Sequence, residues 1–387
     1  MRLLAVLALI LPSLAIAAPG SAASYVPING SGSSYEYPPI NQWDADLVAK
    51  GLAVSYNPDG SAAGQEAYIA NQADFAGSDP PFRTSPDKLA GLGPQVVPWG
   101  FSYIPAVATG IAFIYHISAQ GHVVRNLRLS GQTLLGIFTG RITNWDNPQI
   151  TRDYGSRLPD LPITPVIHTE IAGLSYYFTR WLAHEFAGQW NAFCDRVHPG
   201  IQPPCGPTEI YPRFGHAKRE NGSANVTAYV SSQAGNGAIG YVETGYALAY
   251  DLPMLALRNP AGKYVRPTAA NVTTALTAAR INNDPRSPDF LQENLDPVYV
   301  YTNPRSYPLS SYSYLIVPRI GTKLPPAFTN AKGQTLSAFI SYALCAGQSQ
   351  LPAFGIAPLP ANLVAAGLQQ VKNIPGHGPV PSPARCH

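Results

Sequence analysis

Ala53–Asp79 reads AVSYNPDGSAAGQEAYIANQADFAGSD. Its two ends, Ala53–Tyr56 and Phe75–Ser78, are short apolar runs carrying β-branched or aromatic residues, and they predict strands. The segment between them, Gly64–Asn71, predicts a helix. A strand, a crossover helix and a second strand form the unit that pairs strands in parallel. Asp59-Gly60-Ser61 opens that helix. Ser61 can cap it and direct its hydroxyl and the first free amides at an anion, or it can be a plain N-cap. Asp79 falls at the carboxyl end of the second strand, where ligands bind in open α/β sheets. It can also simply cap the turn before Pro80-Pro81.

The same alternation continues outward. Val107–Tyr115 is a continuous β-branched and aromatic run, as in a buried strand, and Ala238–Val242 is another. Gly131–Gly140, Ser175–Phe186, Leu336–Leu344 and Ala361–Val371 have helical periodicity. The expectation is an α/β fold with largely parallel sheets. From Pro253 to Pro308 the pattern weakens as Pro and Asn accumulate, and Pro375–His387 is a Gly/Pro tail with no core signal. The chain of 387 residues is long enough for two domains, and 45% hydrophobic residues can build their cores. Charged residues make up only 12% and the formal net charge is +3. No Lys/Arg run occurs, so neither nucleic acid nor an anionic membrane surface is an expected partner. The 39 prolines and 34 glycines exclude long helical bundles.

Met1-Arg2, the apolar run Leu3–Leu11 and the small-residue site Ala15-Ile16-Ala17 read as a secretory signal peptide, assigned to residues 1–23. The run is too short to span a bilayer, and no cysteine follows it to carry a lipid. A secreted, periplasmic or cell-surface location is expected. The four cysteines fit export and allow three pairings, of which Cys194–Cys205 and Cys345–Cys386 are preferred. No C-x-x-C spacing supports zinc, and His116, His122, His184, His198 and His216 lack ligand spacing, so no metal or cofactor is expected. The five tryptophans are read as core. Without a G-x-S-x-G or H-E-x-x-H motif, a hydrolase has no support and no catalytic residue is assigned.

Two further constellations carry polar chemistry. Asn29-Gly30-Ser31-Gly32-Ser33-Ser34-Tyr35 is a small-residue turn ahead of a helix start near Pro38-Pro39, which exposes amides and hydroxyls to an anion. His168-Thr169-Glu170-Ile171-Ala172-Gly173-Leu174-Ser175 leads into a Tyr/Phe-rich helix. Gly173 and Leu174 can offer amides there, with His168 and Glu170 as a charge pair.

Taken with Ala70–Asp79, Phe138–Asp146 (FTGRITNWD) and Gly237–Glu243 (GAIGYVE), these stretches resemble the periplasmic phosphate-binding proteins of ABC phosphate importers (PstS-like substrate-binding proteins) from about Ile28 to Val371. The resemblance implies a two-lobed, type II Venus-flytrap fold with a mixed sheet in each lobe and two hinge crossings. The first crossing is expected in Val107–Phe113 and the return just after Glu243. Lobe 1 would comprise residues 25–108 and 248–372, lobe 2 residues 109–247, and the tail 373–387. It also implies capture of inorganic phosphate, or of a related oxyanion, dehydrated in the cleft and delivered to an ABC permease; a monomer is expected.

Carried over by motif, the ligand set is Ser34, Tyr35, Ser61, Asp79, His168, Glu170, Gly173 and Leu174. Asp79 would accept the proton of monohydrogen phosphate and reject a fully ionised tetrahedral anion such as sulfate. The fourth motif departs from the family's Arg-Ala-Asp-Gly-Ser-Gly-Thr-Ser. His168 replaces a permanently charged fork, and Ala172 and Leu174 replace two hydroxyl donors. The alternative reading is a secreted surface or adhesion protein that keeps this fold with an altered or lost oxyanion site.

Overall fold

The computed structural model describes residues 25–386, and the expected signal peptide lies outside the described residues. Eight strands build the main sheet: β1 (Ile28–Gly32), β2 (Val54–Asn57), β3 (Phe75–Ser78), β4 (Phe101–Tyr115), β5 (Thr164–His168), β6 (Lys218–Glu220), β7 (Ala238–Glu243) and β8 (Ser310–Pro318). Their spatial order is β2-β1-β3-β8-β4-β7-β5-β6. β1 pairs in parallel with β2 and β3, while β8 runs antiparallel to both β3 and β4. At the far side β7 is antiparallel to β4 and parallel to β5, which is parallel to β6. Each half is mixed, as expected, and the two halves are continuous through β4.

β4 is the structural spine because its residues from Ser102 to Tyr115 are all buried. Up to Gly110 it pairs with β8; from Ile111 onward it pairs with β7. The strand begins six residues earlier than the apolar run Val107–Tyr115 suggests. Pro105 interrupts the β-branched pattern, and it sits where the register with β8 shifts, so Ala106 has no opposite partner. A residue without an N–H is tolerated at such a bulge.

Three helices position the site: α1 (Tyr37–Val48), α2 (Ser61–Ile69) and α3 (Gly173–Glu185). α2 starts three residues before the predicted Gly64 because Gly60, at φ 95°, turns the chain into the helix, and Asn71 beyond its end adopts φ 59°. α3 likewise starts at Gly173 rather than Ser175. The core is rich in aromatics: Trp43, Trp145, Trp181 and Trp190 are buried in it. Behind β4 and β7, Phe113, Phe138, Phe178 and Tyr241 stack edge to face or tilted, at centroid separations of 5.0 to 6.3 Å.

Both preferred disulfides are present. Cys194–Cys205 ties the helix Ala187–Val197 to the following loop, and Cys345–Cys386 returns the C-terminal tail to the end of the helix Asn330–Leu344. Ile374, at the mouth of that tail, is fully buried. Among the described residues no helix is long and apolar enough to cross a membrane.

Candidate functional site

The site assembles around one carboxylate. Asp79 leaves the end of β3 partly buried, beside the carboxyl end of β1. Ser33, in the turn after β1, donates to Asp79 Oδ1 at 2.9 Å, and Ser313 of β8 donates to the same oxygen at 2.6 Å. Ser61, the first residue of α2, donates to Oδ2 at 3.4 Å and accepts the Asp79 amide at 3.0 Å. Burial pushes the Asp79 carboxyl up, and the Ser313, Ser33 and Ser61 hydroxyls pull against it. A carboxylate has about four lone-pair sites. Both sites on Oδ1 are taken, whereas Oδ2 receives only the long bond from Ser61 and keeps one free.

That free oxygen faces the second half of the molecule. The first residue of α3, Gly173, packs directly on Asp79: a β-carbon at Gly173 would lie 2.5 Å from Asp79 Cβ and 3.0 Å from Oδ2. The close approach requires glycine. It also brings the unpaired first amides of α3, with the positive end of its dipole, to the face of the carboxylate. No side chain caps α3, since its N-cap is Ala172.

The two halves are clasped around the junction. Tyr177 of α3 donates to the Asp79 carbonyl. Arg83 Nη1 lies 2.7 Å from Glu209 Oε1, and Asp87 Oδ2 accepts from Thr208 Oγ1 at 3.0 Å and from the Glu209 amide at 2.8 Å. Alongside runs a cleft of about 700 Å³, lined by Arg83, Lys88, Tyr176, Arg180, Glu209 and Glu293 among others.

The remaining expected residues divide. Tyr35 is buried, and its hydroxyl donates to the Ala108 carbonyl of β4 at 3.2 Å, so its polar end is turned to the spine. Ser34 is exposed, and it is its neighbour Ser33 that reaches Asp79. His168 closes β5 in a fully internal position. Its Nδ1 lies 2.6 Å from Glu170 Oε1 and its Nε2 2.9 Å from the Tyr241 carbonyl. Burial pushes the imidazole down, but the Glu170 carboxylate and the Tyr241 carbonyl outweigh it and raise its proton affinity overall. Both nitrogens are engaged by acceptors, so the ring directs no N–H at a ligand. Read from its motif position His168 is a donor to the anion; in place, it is a buried side chain that holds Glu170. Burial pushes the Glu170 carboxyl up, but the imidazolium prevails and holds it below the usual range. Glu170 in turn accepts the Thr169 amide at 3.1 Å and braces the loop that leads to Gly173.

Sequence reasoning missed Ser33, Ser313 and Tyr177. Ser33 lies within the quoted motif, but two adjacent serines cannot be ranked without knowing which one turns inward. Ser313 stands 234 residues from Asp79 in sequence. The alternation Ser311-Tyr312-Ser313-Tyr314 marks a strand, though not what that strand faces.

The model of the PBP superfamily domain matches residues 17–346. The phosphate-binding protein PstS of Xylella fastidiosa strain Temecula1 is 30% identical over 346 residues, which is 88% of this chain and 83% of that protein. PstS 2 of Mycobacterium tuberculosis is 29% identical over 345 residues, covering 87% of this chain and 84% of the relative. Among solved structures, a DING protein superposes with a TM-score of 0.63 at 22% identity over 92% of this chain and all of that one. The high-affinity periplasmic phosphate-binding protein PfluDING, bound to phosphate, superposes with 0.62 at 23% identity, covering 88% and 92%. These superpositions establish the two-lobed fold. The sequence matches over most of the chain place it in the PBP superfamily and, within it, in the PstS family of phosphate-binding proteins.

Proposed function

We propose that this chain is an exported receptor that captures inorganic phosphate between its two lobes and hands it to an ABC permease. The observation that carries the reading is the single Asp79 carboxylate, fixed by three serine hydroxyls and set against the bare N-terminus of α3. Monohydrogen phosphate satisfies both sides: its proton goes to Oδ2, and its anionic oxygens go to the amides of Gly173 and Leu174 and to the start of α2. Sulfate at neutral pH has no proton to offer, and its oxygen would face a carboxylate oxygen. The relatives named above favour capture over the surface-protein alternative. The ligand set under this reading is Ser33, Ser61, Asp79, Gly173 and Leu174, with Ser34 and Tyr35 in the adjoining turn. His168 and Glu170 position the loop before α3.

The lobes divide where β4 changes partner, between Gly110 and Ile111, and again at the end of β7. Export rests on the N-terminal signal pattern, and two disulfides suit an oxidising compartment. The protein works as a binding module rather than an enzyme, in keeping with the binding proteins it resembles.

Thermal denaturation against phosphate, arsenate, sulfate and phosphate monoesters tests the proposal. A ligand that binds only the native state must raise the melting temperature, by an amount corresponding to about 2.7 kcal/mol at a hundred times its Kd. Phosphate and arsenate should do so and sulfate should not. No shift with any tetrahedral oxyanion would refute the reading.

A further inference from the structure

Two buried carboxyls beside the pocket have no part in the ligand set. Glu36 follows Tyr35 at the start of α1 and is fully buried. Its carboxyl lies over Gly77 of β3, where a β-carbon would collide with Glu36 Oε2 and with the Tyr56 hydroxyl. Tyr56 donates to the Ser33 carbonyl at 2.9 Å, so Glu36 sits one layer behind the Ser33–Asp79 bond. Its Oε2 is 3.5 Å from that same hydroxyl, and its Oε1 has no partner. Glu243, the last residue of β7, is 8% exposed, and its Oε2 has no partner.

We propose that Glu36 and Glu243 determine which charge form of the anion the pocket accepts: as buried carboxyls without a cation, they make binding of a dianion conditional on uptake of a proton from solvent. This deepens the phosphate reading and rests on it.

The surroundings of the pair contain little to stabilise negative charge. Glu36 faces Tyr56 from β2, Gly77 from β3 and the Asp79 carboxyl beyond them. Burial and the Asp79 charge oppose ionisation of Glu243, the last residue of β7, whereas Ser223 and the His168 charge favour it, and Tyr35 lies within its field. The one cation in that list is His168, and it is engaged with Glu170 and the Tyr241 carbonyl. Among the described residues no ion pair includes Glu36, Asp79 or Glu243. Burial disfavours the ionised form of all three, and each of the two glutamates also feels the Asp79 charge. A dianion arriving at Asp79 adds to the same field and drives the glutamates toward their neutral form. A monoanion brings its own proton and makes a smaller demand.

Linkage gives the sign: each proton taken up on binding raises Kd about tenfold per pH unit in the range where the free protein has released it. Calorimetric titration with inorganic phosphate at about pH 8.5, in buffers of different ionisation enthalpy, counts the protons directly, because phosphate is then almost wholly dianionic. The expected result is net uptake wherever the free carboxyls have ionised, and a Kd that rises with pH through that range. Glu36→Gln and Glu243→Gln keep the shape without the charge. Each should reduce the uptake and tighten phosphate binding at pH 8.5, and the double variant should take up none.

A second measurement needs no ligand. The native carboxyls hold their protons to higher pH than the unfolded chain does. Their contribution to stability is therefore complete at acidic pH and lost as pH rises through the native values. The wild type should accordingly lose more melting temperature between pH 5 and pH 8.5 than either glutamine variant. Phosphate binding without proton uptake, weaker binding by the glutamine variants at pH 8.5, or melting curves that track the wild type at every pH would each overturn the inference alone. No phosphate binding at any pH would overturn the phosphate reading and this inference together.

Discussion

Gly173→Ala adds one methyl at the place where the two halves meet. In the observed arrangement its β-carbon would lie 2.5 Å from Asp79 Cβ and 3.0 Å from both Asp79 Oδ2 and Pro80 Cδ. Carbon atoms attract best at about 3.5–4.0 Å, so the halves must separate by roughly 1 Å or more. That distance also breaks the amide contacts on which ligand capture depends. Overpacking of this kind costs about 1–3 kcal/mol, which corresponds to roughly a 5- to 150-fold loss of affinity. The strain falls on the closed arrangement alone. Gly173 is the first residue of α3, where alanine gains less than the about 1 kcal/mol of a helix interior, so a ligand-free protein with its halves apart should change little in stability. Isothermal titration with phosphate, paired with calorimetric melting without it, separates the two effects. Affinity should fall by at least fivefold while the ligand-free melting temperature holds. A variant that binds within twofold of the wild type would refute the assignment of the α3 N-terminus as half of the pocket.

Ser313→Ala removes the 2.6 Å donor from Asp79 Oδ1 and should cost about 1.5–3 kcal/mol in phosphate binding. It also removes one of the hydroxyls that restrain the Asp79 carboxyl from rising. The carboxyl then protonates more readily, and discrimination between phosphate and sulfate should fade as pH drops through the mildly acidic range; competition binding from pH 5 to pH 7 checks this. His168 has its proton affinity raised in the fold. The stability it adds over His168→Gln should be full below the free-histidine value of about 6.5 and should disappear as pH rises through its native value, measurable as a melting-temperature difference against pH. Removing the Cys345–Cys386 crosslink, which spans 41 residues, should cost about 4 kcal/mol by loop entropy. Denaturant unfolding of the Cys345→Ser/Cys386→Ser variant reads that loss.

Much of the scaffold is written in local patterns. Phe75–Ser78 and Ala361–Val371 form the predicted elements with the predicted bounds, because continuous apolar or 3.6-periodic stretches have few alternative ways to be buried. The early residues of β4 were hidden by Pro105, whose presence makes sense only beside the bulge at Ser313. The disulfide pairs were legible because neighbours in sequence and a tail needing an anchor leave one economical arrangement. Side-chain direction was not legible. Ser33 and Ser34 are chemically identical, and only the turn after Gly32 decides that the first is buried and the second exposed. His168 stands where the family motif has an arginine, which makes it a ligand by position, yet its shorter side chain ends at Glu170 and the Tyr241 carbonyl. Glu36 gave no signal at all, since a charged residue at a helix start normally faces water.

The claim on which the rest depends is that the second oxygen of Asp79 reads a proton on the bound anion. Titration calorimetry of the wild type and Asp79→Asn with phosphate and with sulfate near neutral pH tests it. The wild type should bind phosphate and ignore sulfate; the asparagine variant should lose about 1.5–3 kcal/mol toward phosphate and narrow the gap between the two anions. Equal binding of phosphate and sulfate by the wild type, or an unchanged preference in Asp79→Asn, would contradict it.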